Sequence, residues 1–287
     1  MSAIIKKELR SYFTSVVGYI LLAGFVFFNA QYFSFFNVRN SYPDYSYVIG
    51  NTSIIFLIMV PILTMRLFAE ETRQKTDQLL YTAPVGIWKI VLGKYFSAVI
   101  FIGLALCVTL LFPLSLTFFG EVPFAPIFSG LIGFFLLGCA FVSVGLFFSA
   151  LTENQILAAF VTFIALFLSF IISALTSAAP ADTATSVVFV CALCLAFCYF
   201  LYDATKNIYA AFVCAFLCAA AIGVSAFVKP LIFDGAIVKF FGWFSLTSRF
   251  DGFYSGILNI SDMVYYITFS AAFIYLTINA IEKRRWK

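Results

Sequence analysis

The chain has no histidine, and only 10% of its 287 residues are charged. Without histidine a Ser-His-Asp arrangement lacks its general base, and the mixed Cys/His zinc sets lose half their ligands. Ordinary soluble domains carry about 25% charged residues, so a water-soluble fold of this length could not cover its surface. A phosphate-cradling loop is also missing: Gly93-Lys94 is followed by Tyr95 rather than Ser or Thr, and no GxxxxGK[ST] run surrounds it. No ATP or Mg site is therefore expected in this chain. The carboxylates form no close sequence pair except Glu70 and Glu71, which read as solvated or partner-facing rather than as a general acid and base. No enzymatic centre is expected, and no metal or organic cofactor.

Polar and apolar residues do not alternate with period 2 inside the apolar runs, which favours helices over a transmembrane barrel. The seven cysteines (Cys107, Cys139, Cys191, Cys194, Cys198, Cys214, Cys218) all lie within apolar runs, where cysteine serves as a small packing residue. Cys191, Cys194 and Cys198 share a helical face, but no His and no second CxxC pair completes a metal set. The sequons Asn51-Thr52-Ser53 and Asn259-Ile260-Ser261 are short enough to arise by chance. Ser261 with Asp262 reads more simply as the N-cap of the last helix.

What the chain does have is apolar length. Hydrophobic residues make up 63%, 39 residues are Phe, and the mean hydropathy is +1.06. The runs reach the 18 or more residues needed to cross a hydrocarbon core of about 30 Å. The reading is an all-α, polytopic membrane bundle. Expected spans are Val16–Phe36, Val48–Phe68 (with Pro61 as a kink), Tyr95–Phe119, Ile127–Leu151, Ile156–Leu175, Ser186–Tyr202, Ile208–Val228 and Met263–Ile281. Eight spans result if every run crosses, and six if the pair from Ser186 to Val228 is re-entrant or interfacial. Thr152 to Gln155 is too short for anything but a hairpin.

Before the first span, Met1 to Ser15 reads as an amphipathic interfacial helix, with Ile5, Leu9, Tyr12, Phe13 and Val16 on one side and Lys6, Lys7, Glu8 and Arg10 on the other. The apolar run from Val16 is too long for a signal-peptide core, so the first span is expected to stay. Thirteen of the 17 basic residues fall on one side of the resulting topology. The positive-inside rule then places both termini in the cytoplasm. Lys6, Lys7, Arg10, Arg284 and Arg285 are expected to anchor the chain at the interface with the lipid bilayer. The basic charge marks topology, with no nucleic-acid partner expected.

The long charged segment, Arg66 to Lys94, carries more information. It mixes acids and bases yet presents Leu79, Leu80, Pro84, Val85, Ile87 and Trp88, more apolar surface than a solvated connector requires. A partner docking there could move it as a lever between two spans.

Here the chain resembles the ABC-2-type transporter permeases, within them the subgroup of the gliding-motility-associated permease and the permease of the nitrous-oxide-reductase maturation exporter. The resemblance rests on Glu70-Glu71 after the second span, then Thr76, Leu79, Leu80, Ala83-Pro84-Val85 and Leu92-Gly93-Lys94. It is supported by Lys6-Lys7-Glu8-Leu9 at the start and by Arg249-Phe250-Asp251-Gly252-Phe253 through Gly256 and Asp262 to Arg284-Arg285-Trp286. It implies one transmembrane domain over 1–287: an elbow helix at 1–15, a cytoplasmic coupling region at 69–94, and an extracytoplasmic segment at 229–262. The implied assembly is a permease homodimer or heterodimer that docks two ABC ATPase subunits, which bind the ATP and Mg. The implied coupling residues are Glu70, Glu71, Thr76, Leu79, Leu80, Pro84, Val85 and Trp88. The implied function is an exporter permease in the bacterial cytoplasmic membrane. Few internal charges point to a lipid-like or amphiphilic peptide substrate. Two other readings compete: an ion-coupled secondary carrier, which would need ionisable residues at membrane depth, and a scaffold or mechanical transmitter that passes no substrate.

Overall fold

The computed structural model describes residues 1–76, 86–118, 121–178, 185–192, 194 and 235–285. Among these the elements are helices, with no strand. They are α1 (Ser2–Thr14), α2 (Val16–Phe33, continued by a π-helical end, Ser34–Arg39), α3 (Ser46–Thr52), α4 (Phe56–Thr64), α5 (Ala69–Arg73), α6 (Ile87–Thr109) and α7 (Leu111–Leu116). There follow α8 (Phe124–Leu151), α9 (Gln155–Ala178), α10 (185–192), α11 (Ala236–Phe244), α12 (Phe250–Tyr254) and α13 (Ile260–Arg285).

Among the described residues six helical stretches are long and apolar enough to cross a membrane: Val16–Arg39, Ser46–Arg73, Ile87–Leu116, Phe124–Leu151, Gln155–Leu175 and Ile260–Arg284. They correspond to the first five expected spans and the last. The expected pair from Ser186 to Val228 lies, past 194, outside the described residues. The fold is an all-α multi-pass bundle. Long aliphatic and aromatic side chains such as Ile20, Phe27, Phe160 and Ile267 are left exposed on the outer faces, as lipid-facing positions require.

The span boundaries move most at α6. Its helix begins at Ile87, not near Tyr95, because Ile87, Ile90, Val91 and Ala98 continue one buried helical stripe. At the other end Pro113 cannot donate to the carbonyl of Thr109, and the helix is interrupted at Leu110 before α7. The second span is irregular in two places, a 3₁₀ turn at Ser53–Ile55 and a turn at residues 65–68, while Pro61 itself lies within α4. Asn259, not Ser261, caps α13: its Oδ1 accepts from the Ser261 N–H at 3.2 Å, and its carbonyl accepts from Asp262 and Met263. Asp262 is instead drawn to Arg249, its Oδ1 accepting a hydrogen bond at 2.9 Å.

The chain forms two compact units, 1–168 with 249–287, and 169–248. In the first unit α8 is central and packs against α4, α6, α12 and α13. Lipid tails are as apolar as the side chains that would leave them, so close packing rather than the hydrophobic effect joins these helices. Glycine makes the approach possible. A Cβ on Gly133 would collide with the Phe253 side chain, and one on Gly145 with the Thr64 side chain. Between them Phe56 packs on Phe134 at 4.4 Å and on Phe141 at 5.9 Å. In the second unit Ser169 on α9 accepts from the Leu246 N–H at 3.4 Å and from the Thr247 hydroxyl at 3.4 Å, and Phe189 packs on Phe240 and Phe241.

Candidate functional site

At the end of the bundle where α1 lies, a cluster of paired charges surrounds the root of the long charged segment. Its centre is Lys94, whose side chain is 1% exposed. The helical stripe that buries Ile87, Ile90, Val91 and Ala98 carries Lys94 inward with them. An ammonium so enclosed is stable only if acceptors replace its water. Three do so: Glu8 Oε1 at 3.0 Å, Glu71 Oε2 at 2.9 Å, and the carbonyl oxygen of Leu67. Lys7 donates to Glu71 Oε1 at 2.7 Å and lies 3.7 Å from Glu8, so two cations and two anions close the cluster without net charge. Burial alone would lower the Lys7 pKa, but the hydrogen bond and charge of Glu71, with Glu8 behind it, hold it above the ordinary lysine value.

Each partner arrives by a separate route. Glu8 stands on α1 one turn from Ile4, Ile5 and Tyr12, which puts it in register with the buried face rather than with Lys6 and Arg10. Helix α1 is pressed onto α6 there: a Cβ on Gly93 would come 3.0 Å from Ile4 Cγ2, and Tyr12 packs on Phe101 at 5.2 Å. The Tyr12 hydroxyl donates to the Leu63 carbonyl at 3.2 Å, and α1 then turns sharply into α2, where a Cβ on Gly18 would strike the Tyr12 carbonyl.

Glu71 stands on α5, a stub of five residues beyond the turn at 65–68. A helix broken at that turn leaves backbone groups without partners. Lys94 takes the Leu67 carbonyl, while Ser149 Oγ on α8 accepts from Phe68 N at 3.1 Å and Ala69 N at 3.3 Å and donates to the Met65 carbonyl at 3.3 Å. On a further side Arg284 of α13 donates to Thr72 Oγ1 at 3.3 Å and lies 3.8 Å from Glu153. The stub is thus held from α1, α6, α8 and α13. It ends in a Schellman turn, with Thr76 N donating to the Glu71 carbonyl, Lys75 N to the Thr72 carbonyl, and Lys75 at φ +57.

The expected coupling residues are distributed unevenly over this arrangement. Glu71 is not freely solvated: its side chain is 14% exposed and bound by two lysines. The turn at 65–68 sets the stub against α1 and α6, which is why a residue that reads as part of a solvated segment faces inward. Glu70 lines a cleft beside α1 and accepts from Gln74 Nε2 at 3.4 Å. Thr76 is exposed, its hydroxyl donating to the Glu71 carbonyl at 3.3 Å. Trp88 stands exposed at the start of α6, with Lys89 5.3 Å from its ring centre. Leu79, Leu80, Pro84 and Val85 lie outside the described residues. Of the expected interfacial anchors, Lys6 and Arg10 are exposed, Lys7 and Arg284 are engaged in the ties above, and the Arg285 side chain lies outside the described residues.

Sequence reasoning placed Lys94 at the end of a loop, Glu8 on the polar face of α1, and gave Ser149 no role. For the two charges a signal existed, since each falls in step with the apolar stripe of its helix. For Ser149 there was none.

No curated protein matches the chain. Residues 2–190, well over half of it, match the family model described as ABC-2 family transporter protein. Joined to six membrane-length helices in an all-α bundle, this match means that the chain belongs to the ABC-2 transporter family and is the membrane-spanning permease subunit of an ABC transporter.

Proposed function

We propose that this permease couples ATP hydrolysis by a separate ABC ATPase to export of a substrate, with residues 69–94 as the coupling region. The observation that carries this reading is the clamping of α5. The stub leads directly into the segment that contains Leu79, Leu80, Pro84 and Val85, and it is tied to α1, α6, α8 and α13 by Lys7, Lys94, Ser149 and Arg284. A push on a free connector would be absorbed locally. A push on this stub reaches three helices of the bundle and the amphipathic helix as a rigid-body displacement. Glu70, Glu71 and Thr76 belong to the transmitting stub in this reading, and Leu79, Leu80, Pro84, Val85 and Trp88 to the surface that meets the ATPase.

The rest of the assembly follows the family. Two permease chains, identical or different, pair with two ATPases that supply ATP and Mg; both termini and α5 face the cytoplasm, and the membrane is the bacterial cytoplasmic membrane. The substrate class that suits an apolar bundle is a lipid-like molecule or an amphiphilic peptide.

The test is recovery of the ATPase with the solubilised permease. Leu80→Asp places an unpaired charge in a desolvated contact and is expected to abolish co-purification while leaving membrane insertion intact. Tyr47→Ala, an exposed position at the opposite end of the second span, is expected to keep it; Tyr45 beside it is buried and unsuited as a control. Full retention of the ATPase and of its activity by Leu80→Asp would reject the docking assignment.

A further inference from the structure

Beside the clamp, α1, α2 and the second span enclose a cleft of about 340 Å³ whose lining changes character along its length. On the second span Ile62, Arg66, Glu70 and Gln74 follow one another at intervals of four residues, and all four line it. Leu21 on α2 completes the apolar end. Moving outward from the membrane-spanning part, the cleft therefore offers an apolar wall, then a guanidinium, then a carboxylate, then an amide.

The other charges in the cleft are already committed. Lys7, Lys94, Glu8 and Glu71 neutralise one another. Arg66 makes no ion pair among the described residues, and Glu70 receives only the long hydrogen bond from Gln74. In an unbroken helix residues four apart face each other and can pair. The turn at 65–68 comes between these two, no ion pair joins them, and both line the cleft.

We propose that this cleft binds a zwitterionic phospholipid that carries a free ammonium, drawn from the bilayer leaflet on the α1 side. Such a lipid presents acyl chain, phosphate and ammonium in the same order in which the cleft presents Ile62 and Leu21, Arg66, and Glu70. Arginine matches phosphate oxygens with paired donors, and a carboxylate accepts charge-assisted hydrogen bonds from a primary ammonium. A trimethylated ammonium has no N–H to donate, and a glycerol headgroup has no cation. Specificity among bilayer lipids therefore rests on Glu70, and affinity for the phosphate on Arg66. None of these residues belongs to the surface proposed to meet the ATPase, so lipid selectivity and ATPase docking are read by separate assays, although Glu70 is shared with the transmitting stub.

The experiment is native mass spectrometry of the full chain released from detergent micelles doped in turn with dioleoyl phosphatidylethanolamine, phosphatidylcholine and phosphatidylglycerol. Phosphatidylethanolamine is expected to be retained at concentrations about tenfold lower than the other two. Arg66→Gln is expected to weaken all three, Arg66→Lys to restore part of the loss, and Glu70→Gln to remove the ethanolamine preference alone. Soluble phosphoethanolamine is expected not to compete at the lipid's concentration, since it lacks the chain that covers Ile62 and Leu21. Equal retention of the three lipids by the native chain would overturn the proposal even if no variant could be purified. So would an ethanolamine preference that survives Glu70→Gln, or competition by the soluble headgroup at the lipid's own concentration.

Discussion

Replacing Lys94 by Met keeps an unbranched apolar stem one atom shorter and deletes the charge. The side chain is 1% exposed, and the partners left behind, Glu8 and Glu71, are 12% and 14% exposed. Removing one member of a buried ion pair costs about 3–5 kcal/mol, because the other charge stays desolvated. Lys7 remains 2.7 Å from Glu71 and 3.7 Å from Glu8, but it is 63% exposed and screened by solvent, so it offsets only part of the surplus negative charge. The expected loss is about 3 kcal/mol, the lower end of that range. Thermal unfolding of the detergent-solubilised permease measures it, with Lys89→Met as the exposed control on the same helix. Removing the surplus acids as well, in Lys94→Met/Glu8→Gln/Glu71→Gln, is expected to recover much of the loss, because neutral groups are cheaper to bury than unpaired carboxylates. Lys94→Arg is expected to be worse than its retained charge implies, since three acceptors arranged around a compact ammonium do not match a planar guanidinium. If Lys94→Met unfolds within about 0.5 kcal/mol of the Lys89→Met control, the usual spread of surface substitutions, the clamp contributes no stability and the reasoning fails.

The pH dependence of Lys7 has a definite sign. Its folded pKa is raised, so its contribution is complete below the ordinary lysine value and is lost as pH rises through the folded one. The stability gap between native chain and Lys7→Gln should hold constant from pH 7 to about 10 and close above that. Gly145→Ala forces a Cβ against the Thr64 side chain and should destabilise by about 1–3 kcal/mol. Adding Thr64→Ala should restore only part of this, because it removes the nearest atom, a hydroxyl that serves only the Val60 carbonyl of its own helix, but keeps the Thr64 Cβ at 2.9 Å; the double variant's unfolding temperature checks it. Arg249 pairs with Asp262 at 2.9 Å and stacks 3.9 Å from the centre of the Tyr265 ring. Arg249→Lys keeps the charge but loses the stack, and it should still lose about 0.5–2 kcal/mol in the same unfolding assay.

The six spans among the described residues were legible in sequence because each meets the length and hydropathy condition for crossing a membrane. Their ends were harder to read for a physical reason. A charge normally marks the point where a helix leaves the apolar phase, so Lys94 reads as the start of water. Here it lies seven residues inside α6, and the opposite charges that permit this come from Glu8 and Glu71, remote in sequence. Helical periodicity holds the corrective: residues 87, 90, 91, 94 and 98 share a stripe, as do 4, 5, 8 and 12. A charge in step with such a stripe indicates a partner on a neighbouring helix. Ser149 carries no such mark, since a serine in an apolar helix looks the same whether it bonds its own backbone, as Ser143 does with the Ala140 carbonyl, or that of another helix. Glu70 read only as solvated or partner-facing, and its spacing of four from Arg66, which would let an unbroken helix pair the two, gives no sign of the turn at 65–68.

The break at 65–68 ties these features together. A continuous helix through Arg73 would satisfy its own backbone and would need neither Ser149 nor the Leu67 contact with Lys94. It would also carry Glu71 about 100° per residue further round from any given position without the reset that the turn provides. The break exposes two carbonyls and two N–H groups, and the bundle answers with one ammonium from α6 and one hydroxyl from α8. Both are polar groups that apolar surroundings would otherwise exclude. The irregularity is therefore maintained by neighbours on two helices, and it positions α5 against both. A stub joined by an uninterrupted helix would transmit force along the axis of the second span alone. Joined through this turn, it can tilt only by disturbing Lys94 and Ser149 together, which engages α6 and α8 in the same movement.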